Sequence, residues 1–94
     1  VAAGSRKRVN RNVVGIRVKL ARRHHSPPLT QDELSGKLAA AGVNLDRVAI
    51  AKIETGIRCV FDFEVRGFAK VLKVDPGWLL GNGDASALSR KVIS

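Results

Sequence analysis

What most constrains this chain is its punctuation: helix-opening residues and helix-stopping residues alternate at short intervals. Thr30 precedes Gln31-Asp32-Glu33, so its hydroxyl can cap a helix while Glu33 reaches back to the cap's own N–H. Gly42 closes that segment. Asp46 opens the next, from Arg47 to about Thr55, and Gly56 follows as a stop that takes positive φ without penalty. Asp62 is placed to cap a fourth helix. DPGWLLG supplies a fifth, with Asp75 as cap, Pro76 in the first turn and Gly81 as stop. Ahead of these, Asn10 or Asn12 can open a helix running to about His24, where HSPP ends it. A chain cut this often cannot form one long rod, and no segment shows the period-2 alternation of a half-buried strand.

Apolar residues recur at helical spacing within each segment. Val14, Val18 and Ala21 mark the first; Leu34, Leu38 and Ala41 the second; Ile50 and Ile53 the third; Val65, Phe68, Ala69 and Leu72 the fourth. The only aromatic residues are Phe61, Phe63, Phe68 and Trp78, a scarcity that favours packed helices over a β-sandwich. With 94 residues there is enough chain for one modest core. The fold class is all-α: a compact five-helix domain over residues 10–81, a flexible basic arm at 1–9 and a short tail at 82–94.

Charge adds a direction. The chain carries a formal +9 with a sequence pI near 10.9. Residues 1–25 hold eight Lys or Arg and no acid, whereas the remainder holds nine against eight acids. Excess charge gathered at one end points to an anionic polymer or an anionic surface as partner. Cys59 stands alone, which excludes an internal disulfide framework and fits a reducing cytosol. No apolar run is long enough to span a bilayer and no secretory leader is visible. The chain opens at Val1 and contains no Met, which reads as a trimmed amino terminus.

Little in the sequence supports catalysis. His24 and His25 are adjacent, so on a helix they point about 100° apart and make a poor metal site, and no spaced Cys or His completes one. Cys59 has no neighbouring His base. No Gly-rich phosphate loop follows a strand, and the carboxylates serve as caps or stand apart. The expectation is a non-enzyme without cofactor or metal. Trp78 and Phe68 read as core, and without interleaved exposed aromatics single-strand binding has little support.

The third helix is chemically odd. Ile50 and Ile53 supply an inner face, yet its first turn mixes Arg47 with Val48 and Ala49 where a surface helix would be uniformly polar. Arg47, Val48 and Lys52 fall on the other side.

Several motifs together resemble the lambda-repressor-like, Xre-type helix-turn-helix proteins. They are Thr30-Gln31-x-Glu33-Leu34, Ile50-x-x-Ile53-Glu54-x-Gly56, Phe68-Ala69-x-x-Leu72-x-Val74 and Trp78-Leu79-Leu80-Gly81. The resemblance covers about residues 13–81. Two features depart from the pattern: AAAGVNL, residues 39–45, lengthens the turn between the second and third helices, and HHSPP lengthens the first connection.

That resemblance implies a lambda-repressor-like domain that lays its third helix in the major groove of double-stranded DNA. Arg47, Val48, Ala49 and Lys52 are then the candidate base contacts: Arg can donate twice to guanine, and small apolar groups can touch a thymine methyl. Thr30 and Gln31, at a helix start where backbone N–H groups point outward, are candidate phosphate contacts, as are Thr55, Gly56 and Arg58 after the third helix. Arg6, Lys7, Arg8 and Arg11 would follow the backbone or enter the minor groove. Arg22 and Glu54 match a structural ion pair in the resembling proteins. One bidentate Arg discriminates by only roughly 1–3 kcal/mol, too little for genomic specificity by one subunit, so a homodimer on a two-fold operator is expected. The reading is a bacterial or phage transcription regulator, cytoplasmic and nucleoid-associated.

Two other readings compete. The same fold serves as an antitoxin or adaptor if the tail, residues 82–94, engages another protein. A basic amphipathic helix over residues 6–25 would bind anionic membranes, but its apolar stripe is thin and small.

Overall fold

A computed structural model describes residues 11–83 of the chain. The arm residues Arg6, Lys7 and Arg8, the side chain of Arg11 and the tail beyond Gly83 lie outside the described residues. Five helices follow one another: α1 (Arg11–His24), α2 (Gln31–Ala40), α3 (Arg47–Glu54), α4 (Asp62–Leu72) and α5 (Pro76–Leu79). No strand occurs among the described residues. None of these helices is long and apolar enough to cross a membrane.

The helices begin where side chains satisfy their first N–H groups. Thr30 Oγ1 accepts from the Glu33 N–H at 3.0 Å, and Glu33 Oε1 accepts the Thr30 N–H at 2.8 Å. Asp46 Oδ1 accepts from Ala49 N–H at 2.8 Å and Asp75 Oδ2 from Trp78 N–H at 3.1 Å. α4 starts differently from the expectation. Asp62 is the first residue inside the helix, and Phe61 takes the cap position with no side-chain acceptor. Glu64 N–H instead uses the Phe61 backbone carbonyl at 2.9 Å, while the Glu64 side chain accepts the Phe61 N–H at 3.1 Å.

The ends of α2, α3 and α4 share one geometry. After α2, Gly42 (φ 91°) lets its own N–H reach the Ala39 carbonyl at 3.0 Å and the Val43 N–H reach Leu38 at 2.9 Å. After α3, Gly56 (φ 80°) does the same, with Ile57 N–H on the Lys52 carbonyl at 2.8 Å. After α4 the left-handed position falls to Lys73, at φ 61°.

The core is a single cluster. α1 contributes Val14, Val18 and Ala21, α2 contributes Leu34 and Leu38, α3 contributes Ile50 and Ile53, and α4 contributes Val65, Phe68, Ala69 and Leu72. Trp78 and Leu79 of α5 close it. Ala41, counted with the second stripe from the sequence, is exposed because it is already the capping residue of α2. The lengthened connection is part of this core. Val43 and Leu45 are buried, and Ser35 Oγ donates to the Leu45 carbonyl at 2.7 Å. Those extra residues pack inward and deliver Asp46 to cap α3.

Candidate nucleic-acid interface

One carboxylate organises the region around α3. Glu54, at the end of that helix, has a side chain only 3% exposed. Arg22 of α1 meets it with two parallel bonds, Nε to Oε2 at 2.7 Å and NH2 to Oε1 at 2.9 Å. Gln31 Nε2, from the first turn of α2, donates to the same Oε1 at 3.0 Å. The remaining Arg22 nitrogen donates to the Leu29 carbonyl at 2.9 Å, which fixes the connection entering α2. The hydrogen bond to Glu54 holds the Arg22 guanidinium above the ordinary arginine range, with burial opposing it. An arginine raised in this way contributes fully below its ordinary pKa and loses that contribution only as pH climbs through the raised value, so no physiological pH unpairs it.

Glycine brings the same two helices into backbone contact. A Cβ on Gly15 of α1 would fall inside the Ile53 carbonyl oxygen and within 3.2 Å of the Glu54 oxygen. The end of α3 therefore rests directly on α1, and Arg22 locks it there.

Anchored from behind, α3 turns its other face outward. Ile50 and Ile53 are wholly buried, while the Arg47 side chain is 64% exposed and Val48 is 55% exposed. Arg47, Val48, Ala51, Lys52 and Thr55 border one open depression of about 290 Å³. Gln31 of α2 and Ile57, just past α3, complete its rim. None of residues 41–46 lines it. Arg47 Nε lies 3.7 Å from Asp32 Oδ1, but both side chains are well exposed, so solvent screens the pair and it holds Arg47 loosely.

The expected site residues divide. Arg47, Val48, Lys52, Gln31 and Thr55 come together around the depression; Ala49 does not, being half-buried and packed against the core. Thr30 is exposed, with its hydroxyl engaged by Glu33 N–H. The Thr55 hydroxyl donates back to the Ala51 carbonyl at 3.0 Å. Gly56 forms the turn that closes α3. Arg58 faces α4: NH1 and NH2 reach Glu64 Oε1 and Oε2 at 3.0 and 3.1 Å, and NH1 also donates to the Cys59 carbonyl at 2.8 Å. That bond to Glu64 raises the Arg58 pKa, against burial.

Sequence reasoning missed Ala51 and Ile57. Ala51 stands three residues after Val48 and four after Arg47, a spacing that was available to find it. Ile57 carried a fainter signal, since the residue after a glycine stop commonly sets an apolar side chain against the last turn. Arg17 of α1, which lies off the apolar stripe Val14, Val18 and Ala21, has a further role the sequence did not announce. Its NH1 donates to the Trp78 carbonyl at 2.8 Å and NH2 to the Gly83 carbonyl at 2.7 Å, with the guanidinium 4.9 Å above the Trp78 ring.

Among the described residues no three His, Cys, Asp or Glu side chains converge as metal ligands would. His24 and His25 instead use Nδ1 on the Leu20 and Pro27 carbonyls, at 2.9 and 3.0 Å. Compared with protein-family models, curated proteins and solved structures, the chain matches none of them.

Proposed function

We propose that this chain is a sequence-specific binder of double-stranded DNA and acts as a transcription regulator of the lambda-repressor-like kind. The carrying observation is the division of α3 into two faces, Ile50 and Ile53 wholly buried and Arg47, Val48 and Lys52 presented together on the other side. A helix lodged in a major groove needs that division, with donors near its start aimed at base edges. A net charge of +9 supplies the attraction to a polyanion.

In this reading Arg47 donates to guanine, and Lys52 reaches a base or the adjoining phosphate. The start of α2 lies on the same rim through Gln31, where its unpaired N–H groups suit a phosphate oxygen. The Arg22–Glu54–Gln31 network keeps α2 and α3 at a fixed spacing, so phosphate grip and base reading act in register. A phosphate at Arg58 would have to compete with Glu64 for its guanidinium. Readout by so few groups calls for two subunits on a two-fold site.

Selection of bound duplexes from a random-sequence pool, with a mass measurement in solution, tests this directly. An enriched, two-fold symmetric site is expected. Arg47→Ala should erase preference at one position of each half-site while leaving weak, salt-sensitive binding to random duplex. A pool that shows no enrichment, or an Arg47→Ala protein with unchanged preference, would overturn the reading.

A further inference from the structure

The outer face of α4 carries a pattern that DNA reading by α3 does not use. The inner face buries Val65, Phe68, Ala69 and Leu72. On the other side Phe63, Arg66 and Lys70 follow at intervals of three and four residues and form one exposed stripe. Lys73, also exposed, stands just beyond at the cap position. Phe63 is 53% exposed, and its ring lies over that of Phe61, with centroids 6.3 Å apart and planes 7° from parallel. None of the three cations has a salt-bridge partner among the described residues.

A helix face turned only to water usually intersperses both signs of charge. The helix macrodipole accounts for Lys70 near the end of α4, but it fades within the last turn and leaves Arg66 unexplained. Lys73 holds a left-handed position, φ 61°, that glycine adopts more freely. The cations call for an anionic partner, and the aromatic ring calls for an apolar group on that same partner. Stacking on Phe61 orders the Phe63 ring in advance, so less freedom is lost when it is covered. A duplex backbone would meet the cations and leave Phe63 in water. A single strand needs successive stacking platforms, and this stripe has aromatic rings at one end only. We propose that the outer face of α4 docks an acidic, amphipathic segment of another protein. One large apolar side chain of that segment covers Phe63, and its carboxylates lie along Arg66, Lys70 and Lys73. Exposed aromatic and arginine side chains are the commonest anchors of such contacts. α3 packs on α1 and α2, whereas α4 packs on α1, α2 and α5, so the two outward faces are separate surfaces. The docking face and the DNA-reading face therefore stand or fall independently.

Selection from a displayed library of random peptides against the full chain tests the proposal. Enriched peptides should be net acidic and carry a large apolar residue. Their affinity should fall about tenfold on Phe63→Ala. The double reversal Arg66→Glu, Lys70→Glu should lower it by about as much and weaken its dependence on salt. Lys37→Glu, a reversal on the exposed face of α2, should change it little. All these side chains are exposed, so the variants should fold, and thermal melts verify it. No enrichment of such peptides, or enriched peptides that bind the Phe63 and α4 charge variants undiminished, overturns the proposal. Displacement of the peptide by an oligothymidylate strand overturns it too, by assigning the stripe to nucleic acid. A solution mass above that of one chain that drops on Phe63→Ala overturns it in favour of a second copy.

Discussion

The side chain of Val43, in the α2–α3 connection, fills the space where Gly67 of α4 would carry a Cβ: the two would stand 2.6 Å apart. Leu38 lies behind, 3.8 Å from the same point. This contact is why a lengthened connection does not shroud α3. Its apolar residues are drawn toward α4 through a gap that only glycine leaves.

Gly67→Ala should therefore destabilise the protein in spite of better helix propensity. Alanine is worth about 1 kcal/mol over glycine inside a helix. Overpacking a stiff β-branched neighbour costs about 1–3 kcal/mol. In a Val43→Ala background the clash is gone, and the same substitution should become stabilising. Urea denaturation of the four proteins measures this, and a coupling near zero would refute the contact.

Glu54→Ala should cost about 3 kcal/mol, since it strands the Arg22 guanidinium, whose side chain is only 11% exposed. Gln31→Ala removes one hydrogen bond to the same carboxylate and should cost about 1 kcal/mol. Denaturant midpoints separate the two. A Glu54→Ala protein with an unaltered denaturant midpoint would contradict the structural role.

Arg17→Ala removes a cation from the basic end of the chain, yet it should leave the salt dependence of duplex binding unchanged. Its guanidinium is committed to the carbonyls of Trp78, Asn82 and Gly83. A phosphate contact would instead lower the slope of log affinity against log salt by about 0.9. The clamp predicts a stability loss of about 1–2 kcal/mol, read from thermal melts.

Lys73→Gly should stabilise the protein slightly, by less than about 1 kcal/mol. Lysine at φ 61° sits in a left-handed conformation that glycine adopts freely. Part of the gain is offset by the greater freedom of glycine in the unfolded chain. Thermal melts of the two proteins decide the sign.

Lys73 also shows where the sequence stops being legible. The ends of α2, α3 and α5 were announced by Gly42, Gly56 and Gly81, because a residue type with a distinctive torsional range marks the turn. Lysine carries no such mark, so the end of α4 had to come from tertiary packing. Its beginning was obscure for a similar reason: Asp62 is a good capping residue, but the cap position falls one residue earlier, where Glu64, held by Arg58, accepts the Phe61 N–H. The outward placement of Arg47, Val48 and Lys52 followed from helical spacing, and their expected role as base contacts from the resemblance. Ile57 lay beyond the helix, where periodicity has nothing to say. Arg17 looked like its neighbours Lys19 and Arg23, since a clamp on carbonyls from the far end of the chain leaves no local trace.

The bare contact at Gly15 has a mechanical consequence. Where backbone meets backbone there is no side chain to rotate or compress, so α1 and the end of α3 behave as one stiff lever. A displacement of α1 at this crossing would therefore carry the end of α3 with it.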